Sequence, residues 1–314
     1  MSKDISVIIV NLNACQLLEE CLASIYNHTR EIAFEVIVVD NHSADASVRM
    51  VKTEFPQVCL IENVVNNRYA LANNQGLAAA SGKYVLYLNS DVRFLSNVCH
   101  ELYQFLESHG AAGVVGGPLI YPDGRPQDSC FRFPSAVNLF YLLCCARFYW
   151  QTPLAGNYHF APQQTAPQRV DFVVGACCLA RRDALLQCRG MDPDFYLYGE
   201  DADLCYRLGQ AGWQTYYLPH CGAAIHHGGA STRHLFGRDQ RAKHLWGWKA
   251  RFLFVKKHSP RWQKWLNILA IVVGFGVNVL LYSAAGLKRR DWEYARHNLR
   301  WQWEITRAGL NLMN

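Results

Sequence analysis

None of the twelve cysteines stands three residues from another. That excludes metal fingers and redox dithiols built on C-x-x-C pairs. Cys144–Cys145 and Cys177–Cys178 are adjacent, while Cys21, Cys59 and Cys205 lie inside apolar runs. Reduced, buried thiols in a cytoplasmic protein are the expectation. The opening MSKDISVIIV has no basic stretch followed by an apolar segment and a small-residue cleavage site, so no secretory signal is expected. Charge is scarce too: 18% of residues are charged against 51% hydrophobic, which excludes a disordered chain. A mean hydropathy of −0.07 excludes a polytopic transporter. No internal repeat is visible. Asn11-Leu12-Asn13, rather than G-x-G-x-x-G, follows the first apolar run, which disfavours a dehydrogenase.

The charges that are present divide unevenly. Residues 241–314 carry 14 Lys and Arg against 3 Asp and Glu, a net +11, leaving 17 against 22, or −5, for residues 1–240. Seven of the nine tryptophans also fall in that last stretch: Trp246, Trp248, Trp262, Trp265, Trp292, Trp301 and Trp303. Residues 266–287 form 22 positions without a formal charge, long enough to span hydrocarbon as a helix. Lys256, Lys257, Arg261 and Lys264 flank one side and Lys288, Arg289 and Arg290 the other, so the positive-inside rule finds little asymmetry. A spanning helix, an in-plane or re-entrant helix and a buried helix all remain open. Asn267, Gly274, Asn278 and Ala285 form a small-and-polar stripe suited to packing on protein. A basic, Trp-rich tail suits an anionic membrane surface, and no nucleic-acid partner is expected.

The first 120 residues alternate strand-length apolar runs with amphipathic segments. Ile5–Val10, Val36–Val39, Val58–Ile61, Tyr84–Leu88 and Gly113–Val115 read as strands. Cys15–Asn27, Ala46–Phe55, Leu71–Ala80 and Asn97–Ser108 read as helices between them. Such alternation predicts an α/β, mainly parallel sheet with helices on both faces, whose ligands bind at the carboxyl ends of the strands. Asn11 and Asn13, Asp40-Asn41, and Asn89-Ser90-Asp91 all fall at those ends. Phe148–Gln168, without Asp, Glu, Lys or Arg and with Pro153, Pro162 and Pro167, reads as a loop. Asp201–Gln210 reads as a helix and Gln214–Leu218 as a strand. The expected domains are residues 1–240, in halves of 1–120 and 121–240, and a helical membrane-associated tail of 241–314.

Four groups of residues can do chemistry. Asp91 after the fourth strand can offer a carboxylate to a divalent cation that bridges a diphosphate, or cap the next helix. Asp40-Asn41-His42-Ser43 suits nucleobase and ribose edges, or makes an Asx turn. Glu200, Asp201 and Asp203 place three carboxylates at a helix start, where the dipole keeps one available as a general base, or where all three merely cap. His226-His227 beside small residues can supply a metal nitrogen or a phosphate contact.

Taken in order, these groups extend into a longer set. Val10-Asn11-x-Asn13, Val39-Asp40-Asn41, Ala72-Asn73-Asn74-x-Gly76, Leu88-Asn89-Ser90-Asp91, Val174-Gly175-Ala176, Gly199-Glu200-Asp201-x-Asp203 and His226-His227-Gly228 together resemble the family-2 inverting glycosyltransferases over about residues 4–235. The closest likeness is to the bacterial rhamnosyltransferase-like branch that builds surface polysaccharides. The resemblance implies a GT-A fold and a nucleoside-diphosphate sugar donor, dTDP-rhamnose or a UDP-sugar. It implies Mg²⁺ or Mn²⁺ as cofactor and a lipid-linked or oligosaccharide acceptor at the inner face of the cytoplasmic membrane. By motif, Asp40 would hold the nucleoside, with Asn11, Asn13, Asn41, Asn73, Asn74 and Gly175 in the donor site. Asp91 would bind the metal, His226 the metal or diphosphate, and Asp201 would be the base, with Glu200 and Asp203 as alternates. Two positions depart from the pattern: Arg68 stands where relatives usually have glycine, and Asn89 replaces the first Asp of D-x-D. Two other readings are a catalytically idle nucleotide-sugar-binding scaffold and a nucleotidyltransferase; the missing basic, glycine-rich triphosphate loop speaks against the latter.

Overall fold

The computed structural model describes residues 3–145, 166–229 and 239–313. The chain divides into two compact units, one of Met1–Phe131 with Phe160–Arg238, the other of Arg132–His159 with Asp239–Asn314. Among the described residues the second unit thus joins 132–145 to 239–313.

Within the first unit, β-branched runs become buried strands and amphipathic runs become covering helices. β1 (Ile5–Asn11), α1 (Cys15–His28), β2 (Phe34–Asp40), α2 (Ser47–Glu54) and β3 (Cys59–Glu62) follow in order. Next come α3 (Arg68–Ala79), β4 (Tyr84–Asn89), β5 (Val92–Phe94), α4 (Val98–Ser108) and β6 (Ala112–Gly116). Three two-residue strands follow: β7 (Leu119–Ile120), β8 (Pro126–Gln127) and β9 (Cys130–Phe131). Past α5 (Ala136–Cys145), which belongs to the second unit, lie β10 (Gln168–Val170), β11 (Phe172–Val173), β12 (Cys177–Arg181), α6 (Arg182–Gln187), α7 (Glu200–Gln210), β13 (Gln214–Tyr217) and β14 (Ala224–His226). The loop expected over Phe148–Gln168 lies largely outside the described residues.

Among the described residues the main sheet has the order β10-β13-β6-β12-β4-β1-β2-β3. β3, β2, β1 and β4 run parallel, as expected, and so do β6 and β13. β12 is inserted antiparallel between β4 and β6, so the sheet is mixed. Local patterning cannot reveal this, because β12 is buried on both faces and reads like its parallel neighbours. α3 begins three residues before Leu71: Asn66 Oδ1 accepts from the Arg68 N–H at 2.9 Å, and this polar first turn has no apolar periodicity to read. A second sheet, β5-β14-β7-β8, sits beside the carboxyl end of β4. The core of the first unit packs Leu18, Leu22 and Ile25 of α1 and Leu102 and Leu106 of α4 against the sheet.

The second unit is helical, with α5, α8 (Gln240–His258), α9 (Arg261–Arg289) and α10 (Trp292–Met313). Asp239 caps α8 by accepting from the Arg241 and Ala242 N–H groups at 2.9 and 3.1 Å. Pro260 precedes α9, which ends where Arg290 turns left-handed at φ +52°. Asn278 Nδ2 donates to the Leu143 carbonyl of α5 and, at 2.8 Å, to the Gly274 carbonyl. Of the expected stripe, Asn267, Gly274 and Asn278 are buried and Ala285 is half-buried. The ten cysteines with described side chains are all free, and burial raises the pKa of Cys21, Cys177 and Cys178, leaving them inert thiols.

Leu86 of β4 is fully buried between β1 and β12. Leu86→Ala should cost about 3 kcal/mol of stability, read as a lower urea midpoint with an unchanged m-value.

Candidate active site

Parallel pairing sets Asn11 opposite Asp40, and Val10 opposite Asn89. The polar residues that follow each strand are thereby delivered to one edge of the sheet. Asn11 Nδ2 donates to Asp40 Oδ1 at 3.1 Å and to Ser43 Oγ at 3.2 Å. The Ser43 N–H donates to Asp40 Oδ2 at 2.8 Å, closing an Asx turn that His42 enters at φ +73°. Asn13, itself left-handed at φ +50°, accepts from the Ala44 N–H at 2.6 Å. Asn41 ties the next loop: it donates to Asn66 Oδ1 at 2.9 Å and accepts from Asn63 Nδ2 and the Asn67 N–H. Asp40 and Asn41 are nearly fully buried, so these bonds offset the cost of desolvating them.

Asn73 and Asn74 are placed differently. Asn73 donates back to the Tyr69 carbonyl at 3.0 Å within α3. Asn74 clamps Met191 both ways, donating to its carbonyl and accepting from its N–H, each at 2.8 Å. Asn73 thus braces α3 internally, and Asn74 ties α3 to the loop after α6.

Asp91 meets His226 because β5 pairs antiparallel with β14, which puts His226 opposite Val92. His226 Nδ1 lies 2.7 Å from Gln127 Oε1, an acceptor, to which Nδ1–H donates; in the neutral imidazole Nε2 is then the nitrogen with the lone pair. Asn89 Nδ2 donates toward that lone pair at 3.4 Å, and Asp91 Oδ1 lies 3.4 Å from it. Two cis ligands at about 2.1 Å from one octahedral ion stand about 3 Å apart, so this carboxylate and imidazole fit Mg²⁺ or Mn²⁺ with small adjustment. Among the described residues no group of three His, Cys, Asp or Glu is arranged to hold a metal. A two-residue site of this kind suits an ion completed by substrate phosphates and water.

At the start of α7, Tyr198 and Gly199 turn left-handed at φ +65° and +84°, setting Glu200 and Asp201 in the first helical turn. Asp201 accepts from the Gly175 N–H at 3.2 Å and the Ala202 N–H at 2.8 Å. Asp203 is drawn away from them: fully buried, it pairs with Arg207 at 2.6 Å, and Arg207 also holds the Cys188 and Gly190 carbonyls. Glu200 is buried with Oε2 lacking a hydrogen-bond partner, and burial and the Asp201 charge push its pKa up to about 8.

Tyr69 and Gln127 were not singled out by the sequence. Tyr69 donates its hydroxyl to Asn89 Oδ1 at 2.9 Å, with the Gly175 carbonyl at 3.4 Å. It therefore links the Asp91–His226 pair, through Asn89, to Gly175 and Asp201. Burial and the neighbouring carboxylates keep its hydroxyl protonated. The adjacent Arg68 holds φ +66° and lies 4.9 Å over the Tyr196 ring. Gln127 is 99 residues from its histidine, a separation at which no sequence pattern operates.

The profile described as "Glycosyl transferase family 2" matches residues 6–188. An N-acetylglucosaminyl-diphospho-decaprenol L-rhamnosyltransferase of Mycobacterium tuberculosis is 27% identical over 275 residues, covering 84% of this chain and 88% of the relative. A GalNAc(5)-diNAcBac-PP-undecaprenol beta-1,3-glucosyltransferase of Campylobacter jejuni is 32% identical over 125 residues, 38% of this chain and 40% of its own. Among solved structures, a mannosyltransferase from Pyrobaculum calidifontis in complex with GDP-Man and Mn²⁺ superposes with a TM-score of 0.58 at 16% identity, covering 99% of this chain and 87% of that one. This likeness shows the fold, which is GT-A, as the sequence resemblance implied.

Glu200 generates a pH prediction. Its folded pKa of about 8 exceeds the ordinary carboxylate value of 4.5, so its contribution to stability is fully present below pH 4.5 and is lost as pH rises through 8. Glu200→Gln removes that dependence. Thermal midpoints between pH 5 and 9 should show the variant gaining on wild type as pH rises; parallel curves would refute a buried, protonated Glu200.

Proposed function

Since this chain belongs to glycosyl transferase family 2, in its rhamnosyltransferase-like branch, we propose that it moves a sugar from a nucleoside diphosphate, dTDP-rhamnose or a UDP-sugar, to a lipid-linked or saccharide acceptor, inverting the anomeric carbon. The observation that carries this reading is one continuous line of contacts: Asp91, His226, Asn89, Tyr69, Gly175, Asp201. A cation-ready pair stands at one end and a helix-start carboxylate at the other, as a transferase needs for its leaving group and its nucleophile.

In this reading the edge built by Asn11, Asn13, Asp40 and Asn41 receives the nucleoside. Asp91 and His226 Nε2 would hold Mg²⁺ or Mn²⁺, with Gln127 accepting from Nδ1–H and so orienting Nε2 toward the ion. When bound, the ion offsets the charge on the departing diphosphate. Asp201 takes the proton of the acceptor hydroxyl as that oxygen attacks from the face opposite the leaving group. One displacement inverts the configuration and needs no covalent enzyme intermediate. Asp203, held by Arg207, is assigned a supporting role, and Glu200 stays protonated beside the base.

The second unit is proposed to keep the enzyme at the cytoplasmic leaflet, where lipid-linked acceptors present their diphosphates. Its charge and tryptophans support this, each cation near an anionic surface contributing about 1 kcal/mol. The lipid-linked acceptors named for the mycobacterial and Campylobacter relatives agree with it.

Asp201→Asn keeps the shape but cannot accept a proton. Transfer should fall by about 10²–10⁴-fold while donor affinity changes little. Calorimetry and a transfer assay on one preparation test this; near-normal turnover would move the role to another carboxylate.

Activity should vanish in EDTA and return with Mn²⁺ or Mg²⁺. Asp91→Ala should abolish Mn²⁺ binding measured by electron paramagnetic resonance, and Gln127→Leu should weaken it by about 10–100-fold. Unchanged binding in Asp91→Ala would dismiss the assigned ligand.

A further inference from the structure

The polarity of α9 is inverted. Its asparagines face protein: Asn267 is fully buried, and Asn278 is buried on the Leu143 carbonyl. Its large apolar side chains face outward, with Trp262 65%, Trp265 74%, Leu269 56%, Leu280 72% and Leu287 63% exposed. Spacings of three, four, eleven and seven residues keep these on one side of the helix. A core helix of a water-soluble protein shows the reverse. The most apolar 18 residues within Trp262–Lys288 have a mean hydropathy of 2.2, and only 22% of them are buried.

By length and composition alone this helix can cross a bilayer, but its partner helix argues against that. α10 runs back along α9. Gly309 packs on Ile271, the Trp303 and Phe275 rings are 5.7 Å apart, the Tyr294 and Tyr282 rings 6.3 Å, and Ala295 sits against Gly286. If α9 crossed the bilayer from 271 to 286, residues 294–309 of α10 would lie at the same depths. That segment exposes Arg296, Arg300, Glu304 and Arg307. A transmembrane α9 would carry all four into hydrocarbon, where ionised side chains on a lipid-facing surface are strongly disfavoured.

We propose that α9 lies in the plane of the membrane as a monotopic anchor. Its stripe of Trp262, Trp265, Leu269, Leu280 and Leu287 is buried in the acyl chains of one leaflet, while α10 holds its charges at headgroup level. This rests on the membrane reading above and adds its geometry. The occupant is an anionic lipid leaflet, as the +11 charge of residues 241–314 requires. At about 1.5 Å per residue, 29 residues of α9 extend some 43 Å, which overshoots a hydrocarbon core of about 30 Å but is unconstrained in the plane.

The full chain carrying Cys59→Ser and Lys288→Cys is expressed, and everted membrane vesicles are treated with a membrane-impermeant maleimide. Labelling at position 288, read by mass spectrometry of its peptide, is expected without detergent. Protection of that site until detergent is added would overturn the in-plane geometry in favour of a span. Absence of the chain from the membranes would instead defeat the membrane reading itself. In a second arm, purified wild type and Leu280→Glu are floated with phosphatidylglycerol-rich vesicles, folding being checked by thermal midpoint. Affinity should drop about tenfold or more. An unchanged affinity together with a stable dimer in solution would show that the stripe covers a second copy of the chain, and would sink the proposal.

Discussion

Backbone pairing of β1 with both β2 and β4 places Asn11 level with Asp40 and Val10 level with Asn89. The chemistry of the chain collects where those ladders run out. A strand end is the one place in a buried parallel sheet where side chains must leave the apolar interior and backbone groups need new partners. Asp40, Asn41, Asn11 and Ser43 supply those partners for one another. A slip of one residue in β1 would turn Asn11 to the opposite face of the sheet and undo the set.

β12 adds a second constraint. Running antiparallel beside β4, it returns the chain so that the Ala176 carbonyl accepts from the Asn89 N–H at 2.9 Å. Gly175, the next residue back, then receives Tyr69 and holds Asp201. The small β5-β14 pairing does the same for Asp91 and His226. Two antiparallel insertions thus bring Asp201 and the Asp91–His226 pair to an edge that the parallel strands alone leave open.

In the second unit one side of α9 departs from the ordinary rule of burial, with Asn267 and Asn278 buried and Leu269, Leu280 and Leu287 exposed. Asn278 can be buried because Leu143 and Gly274 carbonyls accept from it. Gly274 leaves room for the Leu143 side chain, and Gly286 does so for Ala295. Close helix approach over small residues, with apolar surface turned outward, is the packing expected of the proposed membrane anchor.

Much was legible in the residue order. Strand and helix periodicities located β1, β2, β4, α1 and α4 within a residue or two, because burial of one face imposes period and each period is local. The candidate donor-side residues were also legible, since polar residues directly after a β-branched run must sit at a strand end. The charge of the tail needed only counting. What tertiary structure decided were relations between distant residues: the antiparallel insertion of β12, the union of residues 132–145 with the tail, and the pairing of Asp203 with Arg207 and of Asn74 with Met191. The partner of His226 Nδ1 was decided in the same way, a glutamine 99 residues away. Periodicity reports which face of an element is buried; it carries no information about what that face meets, because a hydrogen bond or ion pair depends on where the chain returns in space.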